Sequence, residues 1–156
     1  MTHHLIQVFA DYNQFYVWDA GVSPIAPEDY TEEDVARMVK LAPNVLVVQP
    51  VRNMEVPVEI EVHSGDPGVD SGKWDHVVEC ALELPTGKLQ VHECTGGPVL
   101  DQEVLPGTYR ARVLFAGLDS LSEDGLDGGD RYRVDLWPGS PCAPVVTKQW
   151  SSERAG

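Results

Sequence analysis

The sequence predicts a two-sheet antiparallel β-sandwich with one short α-helix over about residues 31–41, filling a single domain over residues 1–150. Three observations carry this expectation. In Tyr109–Phe115 and Arg131–Leu136, apolar and polar residues alternate: Tyr109, Ala111, Val113 and Phe115 share one face, as do Tyr132, Val134 and Leu136. A period of two marks strands with one face on a core and one in water. About eight or nine such segments recur between turn signals, with a single helical pattern among them. Finally, Tyr109 follows the turn Leu105-Pro106-Gly107-Thr108, as in the tyrosine corner of sandwich folds, where the phenol bonds back to nearby backbone. A closed barrel is the alternative arrangement.

Taken in order, Leu5–Ala10 and Gln14–Asp19 read as short strands rich in aromatic and β-branched residues, joined by the turn-like Asp11-Tyr12-Asn13. Gly21–Pro27 is a proline-punctuated loop. Thr31 then caps a helix, with Asp34 three residues on completing a weak capping box and Glu32, Glu33 and Asp34 at the positive end of the helix dipole. Val35, Met38 and Val39 (or Leu41) supply its apolar stripe, and Pro43-Asn44 is expected to end it. Val45–Gln49 is a continuous apolar run, as in a strand buried on both faces. In Val56–His63, Val56, Val58, Ile60 and Val62 face inward, and Glu59, Glu61 and His63 outward. A loop to Lys73 follows. Asp75–Leu84 and Lys88–Cys94 read as a hairpin across Pro85-Thr86-Gly87. The alternating arms come next, joined by an acidic, glycine-rich loop longer than the usual hairpin connection. Pro144–Trp150 is the last strand and residues 151–156 a frayed tail.

The formal charge of −14 argues for solubility and for a basic protein partner, and against direct binding to nucleic acid, whose phosphates call for Lys and Arg. The charge is uneven: residues 1–103 hold 18 Asp and Glu against 5 Lys and Arg, and residues 104–156 hold 7 against 6. Cys80, Cys94 and Cys142 form an odd set without a CxxC pair, which fits reduced thiols in the cytoplasm. The N-terminus lacks a basic stretch followed by a long apolar run, and no segment reaches 18 consecutive apolar residues, so neither a signal peptide nor a membrane helix is expected.

Three constellations bear on chemistry. His76, Cys80, His92 and Cys94 have zinc-ligand character. With Leu84 opposite Leu89 in a hairpin, however, His76 and Cys80 face the core while His92 and Cys94 point away, so no cofactor or metal is assigned to them. The loop carboxylates Asp119, Glu123, Asp124, Asp127 and Asp130 suggest calcium, or the site of a small metal- or ligand-dependent enzyme. Against the EF-hand pattern, Leu121 falls on a ligand position and Asp124 where glycine is required. The plainer reading is a solvated turn whose acids screen Arg110, Arg112, Arg131 and Arg133. Third, Glu59 and Glu61 project from one strand and Glu79 and Glu83 from the next. If those strands are neighbours, the four form a carboxylate stripe, which destabilises a sheet unless it meets a basic partner. No nucleophile elbow, Walker loop or dinucleotide loop is present, and no catalytic residue is assigned. Trp137 and Trp150, near strand ends, could instead belong to an apolar scaffold face.

The order of features resembles the competence protein J family. It runs from Asp11-Tyr12-Asn13-Gln14-Phe15 with Val17, through the Thr-Glu-Glu helix start at Thr31 and Arg52-Asn53 after a buried strand, to the Gly87-Lys88-Leu89 turn and Leu105-Pro106-Gly107-Thr108-Tyr109. The resemblance covers roughly residues 5–118. It implies a non-catalytic binding or inhibitor protein, of nuclease-inhibitor or immunity type, because the best-known member inhibits a DNA-degrading nuclease. It implies no particular inhibitory residues. Such a protein would bind a basic partner, in this reading a nuclease, through Glu59, Glu61, Glu79 and Glu83.

Overall fold

The computed structural model describes residues 2–151, so residues 152–156 of the expected tail lie outside the described residues. The strands are β1 (Thr2–Phe9), β2 (Phe15–Asp19), β3 (Val39–Ala42), β4 (Val45–Val48), β5 (Glu55–Val62) and β6 (His76–Leu84). They continue with β7 (Lys88–Glu93), β8 (Pro98–Glu103), β9 (Gly107–Ala116), β10 (Arg131–Pro138) and β11 (Val145–Lys148). The helix α1 spans Glu32–Arg37. The strands form a six-stranded sheet ordered β1-β5-β10-β9-β6-β11 and a five-stranded sheet ordered β3-β4-β2-β7-β8.

The main core lies between the sheets. Val56, Val58, Ile60, Val78, Cys80, Leu82, Ala111, Val113, Phe115, Tyr132, Val134 and Leu136 from the larger sheet meet Phe15, Val17, Leu46, Val48, Leu89 and Val91 from the smaller one. The alternation seen in the sequence therefore sorts side chains as expected on β5, β9 and β10. Phe115 and Tyr132 meet edge-on at a 5.7 Å centroid separation, the preferred geometry for aromatic pairs. β4 is buried on both faces because Ala26 and Tyr30, from the loop before α1, cover the outer face of the smaller sheet around Tyr16, Val45 and Val47. Tyr109 is buried and its hydroxyl donates to the Leu105 carbonyl at 2.6 Å, forming the expected tyrosine corner.

Four details differ from the sequence expectation. β6 and β7 do not pair as a hairpin: β6 lies between β9 and β11 in the larger sheet, and β7 between β2 and β8 in the smaller. The turn between them is a corner crossing the sandwich. It is held there by Asp19, whose carboxylate accepts from both the backbone N–H and the hydroxyl of Thr86. Second, α1 ends at Met38, which takes a left-handed conformation (φ 65°) and donates its N–H to the Asp34 and Val35 carbonyls; residues 39–42 then extend as β3. Third, β5 and β10 pair in parallel, so the larger sheet is mixed rather than wholly antiparallel. Fourth, β8 is an additional edge strand without the alternation that would mark it.

Candidate functional site

The most unusual local structure is the turn joining β1 in one sheet to β2 in the other. Tyr12 (φ 57°, ψ 24°) and Asn13 (φ 56°) both sit in the left-handed region. For a residue with a Cβ that conformation costs about 1–2 kcal/mol. The turn holds them there. The Asp11 carboxylate accepts from the Tyr12 N–H at 3.1 Å and from the Thr95 hydroxyl at 2.7 Å. The Asn13 amide donates to the Pro50 carbonyl at 3.0 Å, and the Asn13 N–H to the Ala10 carbonyl at 3.0 Å. The result is a rigid support for a tyrosine ring that is 70% exposed. Phe9, also exposed, lies nearby; its N–H donates to Glu93 at 2.6 Å and Glu55 sits opposite it in the β1–β5 register. Two aromatic rings are thus accompanied by Asp11, Glu55 and Glu93.

Beside this turn opens a largely apolar groove of about 420 Å³, lined by Asn13, Val35, Met38, Pro50, Val51 and Trp150. A smaller hollow of about 160 Å³ adjoins it between Tyr12 and Tyr30. One wall is α1. At its start, the Asp34 N–H donates to the Thr31 hydroxyl and the Thr31 N–H donates back to Asp34 at 2.9 Å. Asp34 also accepts from Arg37 at 2.6 Å and from Lys40 at 2.9 Å. The Thr31 backbone bond, aided by Lys40 and outweighing the effect of burial, holds the Asp34 carboxyl down at about 2. The other wall is Gln149 and Trp150, just after β11. The Trp150 N–H donates to His76 Nδ1 at 3.0 Å, while His76 Nε2 lies 2.7 Å from the Arg37 carbonyl. These two bonds require a neutral ring with its proton on Nε2, and burial pushes the His76 pKa down, opposed by the Arg37 bond. His76 therefore staples the end of α1 to Trp150. Trp150 Nε1–H in turn donates to Asp119 at 3.2 Å.

The four glutamates proposed as a stripe do project outward, but β10 and β9 lie between β5 and β6, so they form no continuous row. Each has an intramolecular partner. Glu59 lies 3.0 Å from His3, Glu61 lies 2.6 Å from Arg133, Glu79 accepts from Arg112 at 2.8 Å, and Glu83 from the Thr108 hydroxyl at 2.7 Å. Arg112 also holds Asp66, whose carboxyl it keeps below the usual carboxylate range. This face interleaves positive and negative side chains.

The acidic loop does not screen the flanking arginines in the way its composition suggested. Arg112 and Arg133 take carboxylates from the sheet, and Arg131 stacks over Trp74 at 4.6 Å. Within the loop, Asp130 is buried, pairs with Arg52 at 2.8 Å and accepts from the Tyr132 hydroxyl at 2.7 Å. Asp124 accepts from Ser122 and the Leu126 N–H, and Asp119 from Trp150. Asp119, Asp124 and Asp130 thus serve separate contacts. Glu123 and Asp127 lie in the same loop, where the Asp127 N–H donates to the Ser122 hydroxyl at 3.0 Å. Of the His and Cys quartet, His76 and Cys80 face the inter-sheet core, where burial pushes the Cys80 thiol up to about 12. His92 and Cys94 lie at the smaller sheet's outer face, against Trp18 and the Tyr16 hydroxyl. Sequence reasoning marked Tyr12 only as a turn residue. The groove beside it is lined by Pro50 and Trp150, distant in the chain, and no local signal announces it.

No family model matches the chain, and no curated protein sequence is similar to it. Solved structures do match. The crystal structure of ComJ from Bacillus subtilis, an inhibitor of the DNA-degrading activity of NucA, superposes with a TM-score of 0.67 at 15% identity, covering 89% of this chain and 96% of ComJ. The structure described as crocagin biosynthetic gene J superposes with a TM-score of 0.56 at 18% identity, covering 90% of this chain and 100% of that one. The chain therefore shares the ComJ fold over nearly its whole length, beyond the span of roughly residues 5–118 over which the order of sequence features carried the resemblance. Among the described residues, no helix is long and apolar enough to cross a membrane.

Proposed function

We propose that this chain is a non-catalytic, partner-binding protein of inhibitor or immunity type that docks a basic protein at the Tyr12 end of the sandwich. The observation that carries this reading is the exposed ring of Tyr12, whose backbone is held in a costly left-handed conformation next to a groove lined by Asn13, with Asp11 in the same turn and Glu55 and Glu93 beside the exposed Phe9. Interface energy concentrates in rigid aromatic anchors set next to pockets and ringed by polar groups. A turn backbone already held by hydrogen bonds also loses less conformational entropy on docking. The net charge of −14 speeds encounter with a basic surface. The fold shared with ComJ makes a DNA-degrading nuclease the partner class to test first, and such a partner presents the basic cleft that DNA binding requires. The free thiols Cys80, Cys94 and Cys142 fit action in the cytoplasm.

The alternative docking surface is the one centred on Glu59, Glu61, Glu79 and Glu83. A partner there would have to displace Arg133 from Glu61 and Arg112 from Glu79, so it gains less from those two carboxylates than from Asp11 and Glu93, whose partners are a hydroxyl and backbone N–H groups. Affinity capture from the native lysate separates the two. Wild-type bait, a Tyr12→Ala/Asp11→Asn bait and a bait with the four glutamates changed to lysine are washed at low and high salt and read by mass spectrometry. A single basic protein, lost at high salt and on Tyr12→Ala/Asp11→Asn but retained by the glutamate variant, is the expected result. Retention by the Tyr12 variant sinks the proposed surface.

A further inference from the structure

The outer face of the larger sheet holds three ligand atoms that the partner-binding reading at the Tyr12 end does not use: Glu61 Oε1, His63 Nε2 and Asp135 Oδ1. Glu61 lies on β5. His63 follows two residues later, so both side chains leave the same face. His63 also extends the ladder, donating its N–H to the Leu136 carbonyl at 2.8 Å. Asp135 is the β10 residue in register with Glu61 across the parallel pair. Two neighbouring rigid strands thus set the spacing of all three groups.

That spacing fits a metal ion. His63 Nε2 lies 3.4 Å from Glu61 Oε1 and 3.3 Å from Asp135 Oδ1, and the three donors fall within 4.8 Å of one another. Ligands bonded to a tetrahedral zinc ion at about 2.0–2.1 Å stand roughly 3.3–3.4 Å apart, so two of the three edges already have the required length. The side chains are 10%, 12% and 3% exposed for His63, Glu61 and Asp135, sheltered but reachable from solvent. Arg133 orders the set from outside. Its Nη2 holds the other oxygen of Glu61 at 2.6 Å and its Nε holds Asp135 Oδ1 at 3.0 Å, leaving Glu61 Oε1 turned toward His63. Such outer contacts are what fix ligating carboxylates in metal sites. His3 lies further out, 50% exposed, 3.0 Å from Glu59 and 3.9 Å from Glu61 Oε2, at hydrogen-bond distance from Glu59.

We propose that Glu61, His63 and Asp135 form a mononuclear site for a divalent ion of the zinc class, with the fourth position open to water. Two carboxylates and one imidazole supply the donors, and the imidazole selects zinc or cobalt over calcium and magnesium, which take all-oxygen shells. The competing account is that His63 only hydrogen-bonds to the two carboxylates and binds no metal.

The test uses the full chain stripped with chelator. Zinc is titrated against a chromophoric competitor, and Co(II) is followed by its visible absorption. One equivalent per chain is expected, with the intense Co(II) bands of a four-coordinate site. His63→Ala lowers zinc affinity by about 100-fold or more, since loss of even an outer-shell contact costs 10–100-fold. His3→Ala, whose hydrogen bond is to Glu59 and which stands 3.9 Å from Glu61, lowers it by less than His63→Ala does. Asp135→Asn should match His63→Ala; if that variant fails to fold, His63→Ala at the strand end carries the test alone. No binding, binding unchanged in His63→Ala, loss confined to His3→Ala, or displacement by equimolar calcium each overturns the assignment.

Discussion

Replacing Asp34 by asparagine removes the charge that organises the groove wall while keeping the side chain's shape. The carboxylate takes the Thr31 N–H at 2.9 Å, Lys40 at 2.9 Å and Arg37 at 2.6 Å, and these contacts hold it at about 2. Against an ordinary 3.8, a shift of that size corresponds to at most about 2 kcal/mol at neutral pH. Arg37 and Lys40 remain 26% and 15% exposed, so solvent screening trims the expected loss to about 1–2 kcal/mol. The sign follows from a lowered carboxylate pKa. The contribution is complete above the unfolded value near 4 and disappears as pH falls through the folded value near 2. Urea unfolding of wild type and Asp34→Asn should therefore differ by about 1–2 kcal/mol at pH 7 and converge between pH 4 and 2. A difference that stays constant down to pH 2, or one below about 0.5 kcal/mol at pH 7, refutes the charge-assisted cap.

Further expectations follow from individual contacts. Tyr109→Phe removes the 2.6 Å bond to the Leu105 carbonyl and should cost about 1 kcal/mol in urea unfolding; an unchanged midpoint contradicts a stabilising corner. Arg52→Ala strands the buried Asp130 carboxylate and should cost about 3 kcal/mol or more, with Arg52→Ala/Asp130→Asn recovering part of it; equal single and double losses would show that the charge is not the cause. His76 must stay neutral to accept the Trp150 N–H, and its pKa is lowered, so its contribution is complete above about 6.5 and fades as pH falls through the lower folded value. Trp150 fluorescence should accordingly change on acidification in wild type and lose that step in His76→Gln; an identical profile argues against the staple. Finally, Cys80, pushed up to about 12 by burial, should resist thiol reagents in native protein and react on unfolding; native labelling as fast as at Cys94 contradicts its core placement.

How much of this could be read from the chain varies with the range of the interaction. β5, β9 and β10 were legible because one face of each meets the core and the other meets water, which writes a period of two into the sequence. The helix start was legible because Thr31 and Asp34 cap it locally. Its end was not: Met38 takes the left-handed position that glycine usually marks, and Val39 and Leu41 continue an apolar pattern compatible with helix or strand. Pro85-Thr86-Gly87 has hairpin chemistry, but Asp19, 67 positions away from Thr86, holds that turn at the edge between sheets. β8 has an edge strand's weak pattern, with half its residues exposed and none buried. Outward-facing Glu59, Glu61, Glu79 and Glu83 were identified by parity alone, whereas strand order, which parity cannot give, separates them. The same limit hides the set of Glu61 and His63 with Asp135, since the Glu-x-His spacing is local but its partner strand is not. Tyr12 lies in a segment whose turn was evident, yet that turn is held by Pro50 and Thr95 and the groove beside it is lined by Trp150, all distant in the chain.

The most direct measurement of the central claim is the rate of DNA cleavage by the captured basic partner as purified chain is added. The account predicts stoichiometric inhibition by wild type, weakened by about tenfold or more in Tyr12→Ala, the usual cost of losing an aromatic anchor, and weakened by added salt. Cleavage unaffected by equimolar chain, or inhibited equally by Tyr12→Ala, would contradict it.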